Sequence, residues 1–167
     1  VDKEKIKTLG PDRAAAEWLI RNGAAVYWSS KENSRFNDYE QLMNKTDESD
    51  GDYIIGIDAT ESSINYVGFE YLRPLKRLSR IIFNRTKYLD DKALKMLSEF
   101  QLAQLKHLEI RNCYNVTDTG IQALKELRIF RDLFVTSNMK NHAMKNNPND
   151  MHNKLRYGTI VADTGDT

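Results

Sequence analysis

The chain has little of the residues on which several classes of protein depend. A single cysteine, Cys113, cannot form a disulfide within the chain, so the fold does not depend on an oxidising compartment. No apolar run approaches the ~18 residues that a membrane-spanning helix needs. The histidines have no spacing that indicates a metal site, and neither a glycine-rich phosphate loop nor a serine elbow is present. These absences predict a protein that is not an enzyme and that uses no cofactor and no small-molecule substrate.

One pattern recurs along the chain at intervals of 25 to 27 residues. In residues 105–124, Leu108 and Ile110 alternate as on one face of a short strand, Cys113 occupies a turn, and a helix with apolar periodicity follows. The pattern has three further copies. The residues that correspond to Leu108, Ile110 and Cys113 are Ile55, Ile57 and Thr60 in the first, Ile81, Phe83 and Thr86 in the second, and Leu133, Val135 and Asn138 in the last.

The recurring unit resembles the cysteine-containing type of leucine-rich repeat, whose repeats bury a continuous core by stacking. Two unrelated βα units of an ordinary α/β sheet are the alternative. The predicted class is α/β, as a short leucine-rich-repeat stack of about four repeats with parallel strands and an N-terminal helix–strand cap.

The residues on either side of the repeats differ from them. Residues 11–23 predict a helix that begins at Pro11 and is stopped by Gly23, and residues 24–28 alternate like a strand. We interpret this helix and strand as a cap over the open end of the stack. The chain is then divided into an N-terminal α/β cap with a polar loop (1–50), the leucine-rich repeats (51–138) and a tail that is disordered or ordered by a partner (139–167).

The formal net charge is only +1, but the charges are unevenly distributed. Acidic residues predominate before and into the first repeat: Asp38, Glu40, Asp47, Glu48, Asp50, Asp52, Asp58 and Glu61. The next stretch is basic: Arg73, Lys76, Arg77, Arg80, Arg85 and Lys87. Such runs are usually solvated, and an anionic-lipid contact or an acidic partner is the sharper alternative. Nucleic-acid binding is not predicted, because the basic stretch contains a single aromatic residue, Phe83, at a core position.

Four blocks resemble the subunit s family of mitochondrial ATP synthase, also called coupling factor B: GPDRAAAEWLIRNGA, IDATESSINYVGFEYL, YLDDKALKMLS and NVTDTGIQAL. The resemblance runs from Val1 to about Val135, and its most specific part is GPDRAA-x-EWL. It implies a non-catalytic, peripheral protein on the matrix side of the mitochondrial inner membrane. Its partners would be ATP synthase or respiratory-chain subunits, and its role would be in coupling proton flow to ATP synthesis. A sister family, the assembly proteins of the distal membrane arm of respiratory complex I (NADH dehydrogenase), has a similar helix and similar repeats and is the alternative.

The chain also departs from the family. Family members have a Cys-x-Cys pair, associated with thiol sensitivity, where this chain has Asn84 and Thr86. A function that depends on a vicinal dithiol is therefore not expected here. A magnesium site is associated with the family's N-terminal cap, but no acidic motif of this chain matches it, so no metal ligand is assigned.

The residues between the core positions of each strand should form a second, open face. Because neighbouring strands lie about 4.8 Å apart, equivalent positions form rows across the sheet. The predicted rows are Gly56, Ile82, Glu109 and Phe134 in the centre, flanked by Ile54, Arg80, His107 and Asp132 and by Asp58, Asn84, Arg111 and Thr136.

Exposed apolar groups beside arginines are typical of an interface centre with a charged rim. We therefore predict that the partner-binding site consists of Arg80, Ile82, Glu109, Arg111 and Phe134. The alternative is that the tail or a neighbouring loop of the same chain covers these residues.

Overall fold

The computed structural model describes residues 1–44, 51–125, 132–136 and 159–161. Six strands form one sheet in the order in which they occur along the chain. They are β1 (Ala25–Trp28), β2 (Ile54–Asp58), β3 (Arg80–Asn84), β4 (His107–Arg111), β5 (Asp132–Thr136) and β6 (Thr159–Val161). The α-helices are α1 (Lys3–Leu9), α2 (Pro11–Arg21), α3 (Tyr39–Asn44), α4 (Asp91–Glu99) and α5 (Asp118–Lys125). Two 3-10 segments are present in addition, Ser29–Lys31 and Tyr66–Tyr71.

The sheet is mixed, with parallel strands in the middle and antiparallel strands at its edges. Strands β2 to β5 pair in parallel, whereas β1 pairs antiparallel with β2 and β6 pairs antiparallel with β5. The parallel strands need crossover connections, and a 3-10 segment, α4 and α5 lie in the three crossovers. The predicted α/β class is confirmed.

One face of the sheet packs against the helices because the apolar residues of each strand have a period of two. In β3 and β4 buried residues alternate with residues that are half-buried or, at Arg111, exposed. The buried side chains meet apolar side chains of the crossover segments in one core, which includes Phe69, Leu72, Ile81, Phe83, Leu94, Leu97, Leu108, Ile110, Ile121 and Leu124.

The segment from α1 to β1, called the cap below, begins with two helices that share a buried carboxylate. Glu17 of α2 is buried and pairs with Lys5 of α1 (2.8 Å) and with Arg21 one turn further along α2 (3.1 Å). Helix α2 begins at Pro11, as predicted, and the chain leaves it through Gly23, whose φ of +82° is a left-handed conformation that suits glycine.

The cap packs directly on the first crossover. The indole of Trp18 stacks on Tyr71, with ring centroids 5.8 Å apart, and meets Phe69 edge to face. A Cβ atom on Gly68 would lie 2.1 Å from Cε2 of the same indole, so this close approach requires glycine. The cap and the sheet are therefore joined by aromatic packing as well as by the β1–β2 pairing.

The pairing of β2 with β3 differs from the predicted alignment by two residues. Ile57 lies beside Ile81 and Asp58 lies beside Ile82, whereas the repeat pattern had aligned Ile55 with Ile81. A shift of two residues preserves the face on which each side chain lies, because the side-chain period is two. The prediction that Gly56 shares a row with Ile82 is therefore wrong, since Asp58 occupies that place.

A β-bulge in β2 also changes which isoleucine enters the core. Tyr27 pairs with Gly56 but the next residue, Trp28, pairs with Ile54, so Ile55 is the extra residue of the bulge. Ile54 is fully buried and Ile55 is only half-buried. The prediction that Ile55 faces the core and Ile54 the open face is therefore wrong.

The same two-residue shift changes which residue occupies the buried position in the turn after β2. Thr86 and Cys113 are buried at the turns after β3 and β4, and the buried polar residue in the matching turn after β2 is Ser62 rather than the predicted Thr60. The hydroxyls of Ser62 and Thr86 both donate to the carbonyl oxygen of Ala59, each at 2.8 Å. Burial raises the pKa of the Cys113 thiol, which donates to the carbonyl oxygen of Arg111 (3.2 Å).

Part of the predicted organisation lies outside the described residues. This applies to Asn138, the predicted turn residue of the last repeat, and to Asp47, Glu48 and Asp50 of the acidic region. Within the predicted tail, 139–167, the structure describes only β6. The divisions at 50 and 138 stay predictions.

Candidate functional site

The face of the sheet that lies opposite the helices carries polar and charged side chains around one apolar residue. We call it the open face and define it by seven residues: Tyr27, Asp58, Arg80, Ile82, His107, Glu109 and Arg111. Most of them are half-buried, and Arg111 is exposed. The pairings of β3, β4 and β5 match the predicted rows residue by residue.

Ile82 occupies the middle of the open face, between two carboxylates. Its neighbour on β2 is Asp58 and its neighbour on β4 is Glu109. The side chain of Ile82 is half-buried, so part of its apolar surface is accessible. The centre of the face is thus a small apolar area with an acidic group on each side.

Glu109 is held in place by the residues on either side of it along β4. Its Oε1 forms an ion pair with Nε of Arg111 at 2.8 Å, and its Oε2 lies 3.9 Å from Nε2 of His107. The side chain of Glu109 is 14% exposed, whereas that of Arg111 is 49% exposed. The carboxylate is therefore largely enclosed and its cationic partner faces solvent.

Arg80 stacks on an aromatic ring that the cap contributes. Its guanidinium carbon lies 4.8 Å from the centroid of the Tyr27 ring. The ring in turn lies over Gly56, where a Cβ atom would be 3.2 Å from Cδ2 of Tyr27. Because Gly56 has no side chain, the ring of Tyr27 can lie over it. In this position the ring contacts the guanidinium group of Arg80.

Asp58 forms an ion pair with a residue from the loop after β1. Its carboxylate accepts from Nε of Arg35 (2.9 Å) and from the backbone N–H of Thr60 (3.0 Å). Burial acts to raise the pKa of Asp58, but the hydrogen bonds from Thr60 and Arg35 outweigh it and hold the pKa below its ordinary value. Asp58 is therefore an ionised group of the open face with an assigned partner.

Four of the five predicted site residues come together on the open face: Arg80, Ile82, Glu109 and Arg111. The backbone of Phe134 lies beside Glu109, and its side chain lies outside the described residues. Beyond Phe134, Thr159 of β6 continues the sheet. The described part of the tail therefore lies beside β5 in the plane of the sheet.

Tyr27 and Arg35 are two residues of the site that were not predicted from the sequence. The alternation of Val26, Tyr27 and Trp28 was a usable signal for Tyr27, because an outer strand beside β2 must direct its middle residue to the open face. No local pattern indicates Arg35, since its contact with Asp58 joins two parts of the chain that are distant in sequence.

The basic run of the sequence does not form one patch. Arg73, Lys76 and Arg77 precede β3, Arg80 lies on the open face, and Arg85 follows the strand. The two ends of a five-residue strand are about 16 Å apart. Some of these cations therefore lie where β3 begins, others lie where it ends, and Arg80 lies on the open face.

The open face provides ion pairs and an apolar centre, which are the elements of a binding surface. Among the described residues, no group of three or more His, Cys, Asp or Glu side chains is placed to hold a metal ion. None of the helices that the structure describes combines the length and apolar character needed to span a bilayer.

Comparison with known proteins gives the family. No family model matches the chain. Over 138 residues, the chain is 40% identical to "ATP synthase subunit s, mitochondrial" of Rattus norvegicus and 38% identical to the proteins of the same name of Homo sapiens and Bos taurus. Each alignment covers 81% of this chain and 68% of the relative. The chain therefore belongs to the mitochondrial ATP synthase subunit s family.

Proposed function

We propose that the chain is a non-catalytic accessory subunit that associates with mitochondrial ATP synthase and takes part in coupling proton flow to ATP synthesis. The observation that carries this proposal is the identity of 36–40% with relatives that bear the ATP synthase name. The same names favour ATP synthase over the assembly of respiratory complex I. The proposed location is the matrix side of the inner membrane, with peripheral attachment.

We further propose that the parallel part of the sheet is a short leucine-rich-repeat stack. The units that begin with β3 and β4 have the same order of strand, buried turn residue and helix, and their strands pair at the repeat interval of 27 residues. The left-handed residues Glu61, Arg85 and Asn112 follow three successive strands, with φ between 52° and 57°. A backbone turn that recurs at matching positions supports a repeat rather than unrelated βα units.

The open face is the proposed contact with ATP synthase, through Arg80, Ile82, Glu109, Arg111 and Phe134. Arg80 is stacked on Tyr27 and Arg111 is paired with Glu109, so both side chains are ordered before binding. Ordered side chains lose less conformational entropy when a partner binds. The accessible part of Ile82 supplies an apolar centre that the partner can bury.

A contact with anionic lipid is a subsidiary proposal, and it concerns another part of the surface. Lys76, Arg77 and Lys106 are exposed at the edge where β3 and β4 begin. A negatively charged membrane surface attracts such cations, and the attraction weakens with salt.

The test of the open face is the double substitution Ile82→Asp and Arg111→Glu. We expect it to abolish co-sedimentation with inner-membrane vesicles that contain ATP synthase, because it places a charge at the apolar centre and reverses one at the rim. Circular dichroism should be unchanged, since neither side chain belongs to the buried core. The matched control is Val67→Asp with Lys95→Glu, which makes the same chemical changes at exposed positions on the helical side and should bind normally.

Vesicles of anionic phospholipid without protein form the second arm. Binding to these vesicles that is lost on Lys76→Glu would assign the attachment to lipid. Retention of the double variant at the wild-type level on vesicles with ATP synthase would contradict the proposed contact.

A further inference from the structure

Two of the three arginines on the open face or in contact with it have their charge matched by a carboxylate of the same chain. Arg35 pairs with Asp58 at 2.9 Å, and Arg111 pairs with Glu109 at 2.8 Å. Arg80 is the third, and among the described residues the structure gives it no carboxylate partner. Three guanidinium groups therefore meet two carboxylates, and the excess positive charge lies at Arg80.

In the described sheet, the residues directly beside Arg80 carry no carboxylate. Gly56 of β2 is its neighbour on one side and His107 of β4 is its neighbour on the other. The two carboxylates of the open face lie in the next row and are those already paired with the other arginines. The backbone of Asp132 is one strand beyond His107, about 10 Å from that of Arg80 by the usual spacing of strands.

The ring of Tyr27 holds the guanidinium group of Arg80 in place. Tyr27, Gly56 and Arg80 are neighbours on β1, β2 and β3, so the ring reaches across the glycine to the arginine. A contact with an aromatic ring uses none of the N–H donors of the guanidinium group, which can still bind a carboxylate in a bidentate pair. The charge is therefore ordered before a partner binds.

An apolar side chain lies at a fixed distance from this charge. Ile82 is two residues along β3 from Arg80, so the two side chains leave the same face of the sheet roughly 6–7 Å apart. A partner that contacts both must present a carboxylate and an apolar side chain at a similar distance. Residues i and i+2 of a strand, or i and i+4 of a helix, have about this spacing.

We propose that Arg80, oriented by Tyr27, pairs with an Asp or Glu side chain of an ATP synthase subunit, and that a neighbouring apolar side chain of that subunit packs on Ile82. Tyr27 is then a positioning residue, because it acts through Arg80. This pairing rests on the proposed function, to which it adds the chemistry of the partner. One unmatched cation beside an apolar residue suits a single carboxylate, whereas several cations together attract an anionic membrane surface.

The first measurement is the affinity of Arg80→Gln for inner-membrane vesicles that contain ATP synthase. We expect this variant to bind at least about tenfold more weakly than wild type, with a smaller dependence on salt and an unchanged circular dichroism spectrum. The matched control is Arg73→Gln. Arg73 also contacts an aromatic ring, that of Phe100 at 4.4 Å, but it pairs with Glu70 at 2.7 Å. The control should therefore bind as wild type does.

The positioning role of Tyr27 is tested in a double-mutant cycle. Tyr27→Leu should weaken binding by about threefold, and Tyr27→Phe, which keeps the ring, should bind as wild type does. In a chain that already carries Arg80→Gln, Tyr27→Leu should cause no further loss, because the two residues act as a unit. A structural effect of Tyr27 alone would give additive losses and would refute the positioning role.

The variant Arg80→Lys identifies the partner group directly. A carbodiimide joins an amine to a carboxylate in direct contact with it, so we expect position 80 to become linked to an Asp or Glu of an ATP synthase subunit. Mass spectrometry locates the link. It should be absent from wild type and from Val67→Lys, whose amine would lie at an exposed position on the helical side.

The outcomes separate this pairing from the proposed function. Wild-type binding of Arg80→Gln, together with loss of binding by the Ile82→Asp and Arg111→Glu variant, would overturn the pairing and leave the proposed contact intact. Wild-type binding of both variants would overturn the pairing and the contact together. A link from position 80 to a carboxylate of the same chain would show an internal partner and overturn the pairing. An equal loss on anionic vesicles without protein would assign Arg80 to lipid phosphate instead.

Discussion

The parallel strands β3 to β5 and the strand β2, which also pairs with β1, follow different rules. Partners in β3 and β4 are 27 residues apart and partners in β4 and β5 are 25 apart, equal to the intervals of the sequence pattern. Partners in β2 and β3 are 24 apart, two fewer than the pattern indicates. The interval of the sequence pattern therefore gives the register of β3, β4 and β5, and it fails at β2, which also pairs with β1.

A bulge on the side of β1 is a second departure of β2 from the sequence pattern. Pairing with β1 inserts Ile55 as an extra residue, and Ile54 then takes the core position that alternation assigns to Ile55. In β3 and β4 the buried positions agree with the alternation of the sequence. The following experiments test this difference, beginning with the largest expected effect.

The first experiment concerns the core of the repeats. Leu108 is fully buried in β4, so Leu108→Ala should lower the free energy of unfolding by about 2–5 kcal/mol through lost burial and a cavity. Urea denaturation measures the change. Lys106→Ala, at an exposed position two residues earlier, is the control and should stay within about 0.5 kcal/mol of wild type. A loss below about 1 kcal/mol for Leu108→Ala would show that the side chain of Leu108 is not packed in the core.

The second experiment compares the two isoleucines at the bulge. Ile54→Ala should destabilise the protein more than Ile55→Ala, by at least about 1 kcal/mol, because only Ile54 is fully buried. The two variants remove the same atoms and serve as controls for each other in urea melts. The reverse order would mean that β2 follows simple alternation and contains no bulge.

The third experiment tests the turns on both sides of the junction. Thr86→Val removes the buried hydroxyl that donates to the carbonyl oxygen of Ala59 and should cost about 0.5–1.5 kcal/mol. The loss is limited because the hydroxyl of Ser62 still donates to the same oxygen. Thr119→Val, at an exposed position in α5, should have almost no effect. Equal stability of Thr86→Val and wild type would show that the hydrogen bond from Thr86 to Ala59 does not stabilise the contact between the two turns.

The fourth experiment uses pH at the cap side of the open face. The pKa of Asp58 is lower in the folded state than its ordinary value of about 4, so its stabilising contribution is present above pH 4. The contribution is lost as the pH falls through the folded pKa. Asp58→Asn should therefore lose less stability than wild type between neutral pH and pH values below 4. The control is Glu61→Gln, since the carboxylate of Glu61 is exposed. A wild-type pH profile for Asp58→Asn would show that Asp58 does not contribute to the loss of stability in acid.

The sequence predicts the pairing of β3 with β4 and of β4 with β5, because the alternation and the interval between apolar residues are visible in the sequence. The alternation around Leu108 and the interval to Ile81 suffice to place Arg80, Ile82, Glu109 and Arg111 together on the open face. Their placement needed only the alternation and the interval, both of which can be read from the sequence.

The rest of the site depends on long-range contacts that no local pattern records. The bulge at Ile55 exists because β1 pairs with β2, and the pair between Arg35 and Asp58 joins a loop to a strand across 23 residues. Such features follow from tertiary structure rather than from periodicity.

The most direct test of the proposed contact is photo-cross-linking at the centre of the open face. A benzophenone amino acid would replace Ile82 in one variant and Val67, on the helical side, in the other. After irradiation of inner membranes that contain ATP synthase, we predict a cross-link to an ATP synthase subunit from position 82 and none from position 67. Cross-links from position 67 without any from position 82 would contradict the account and move the contact to the helical side.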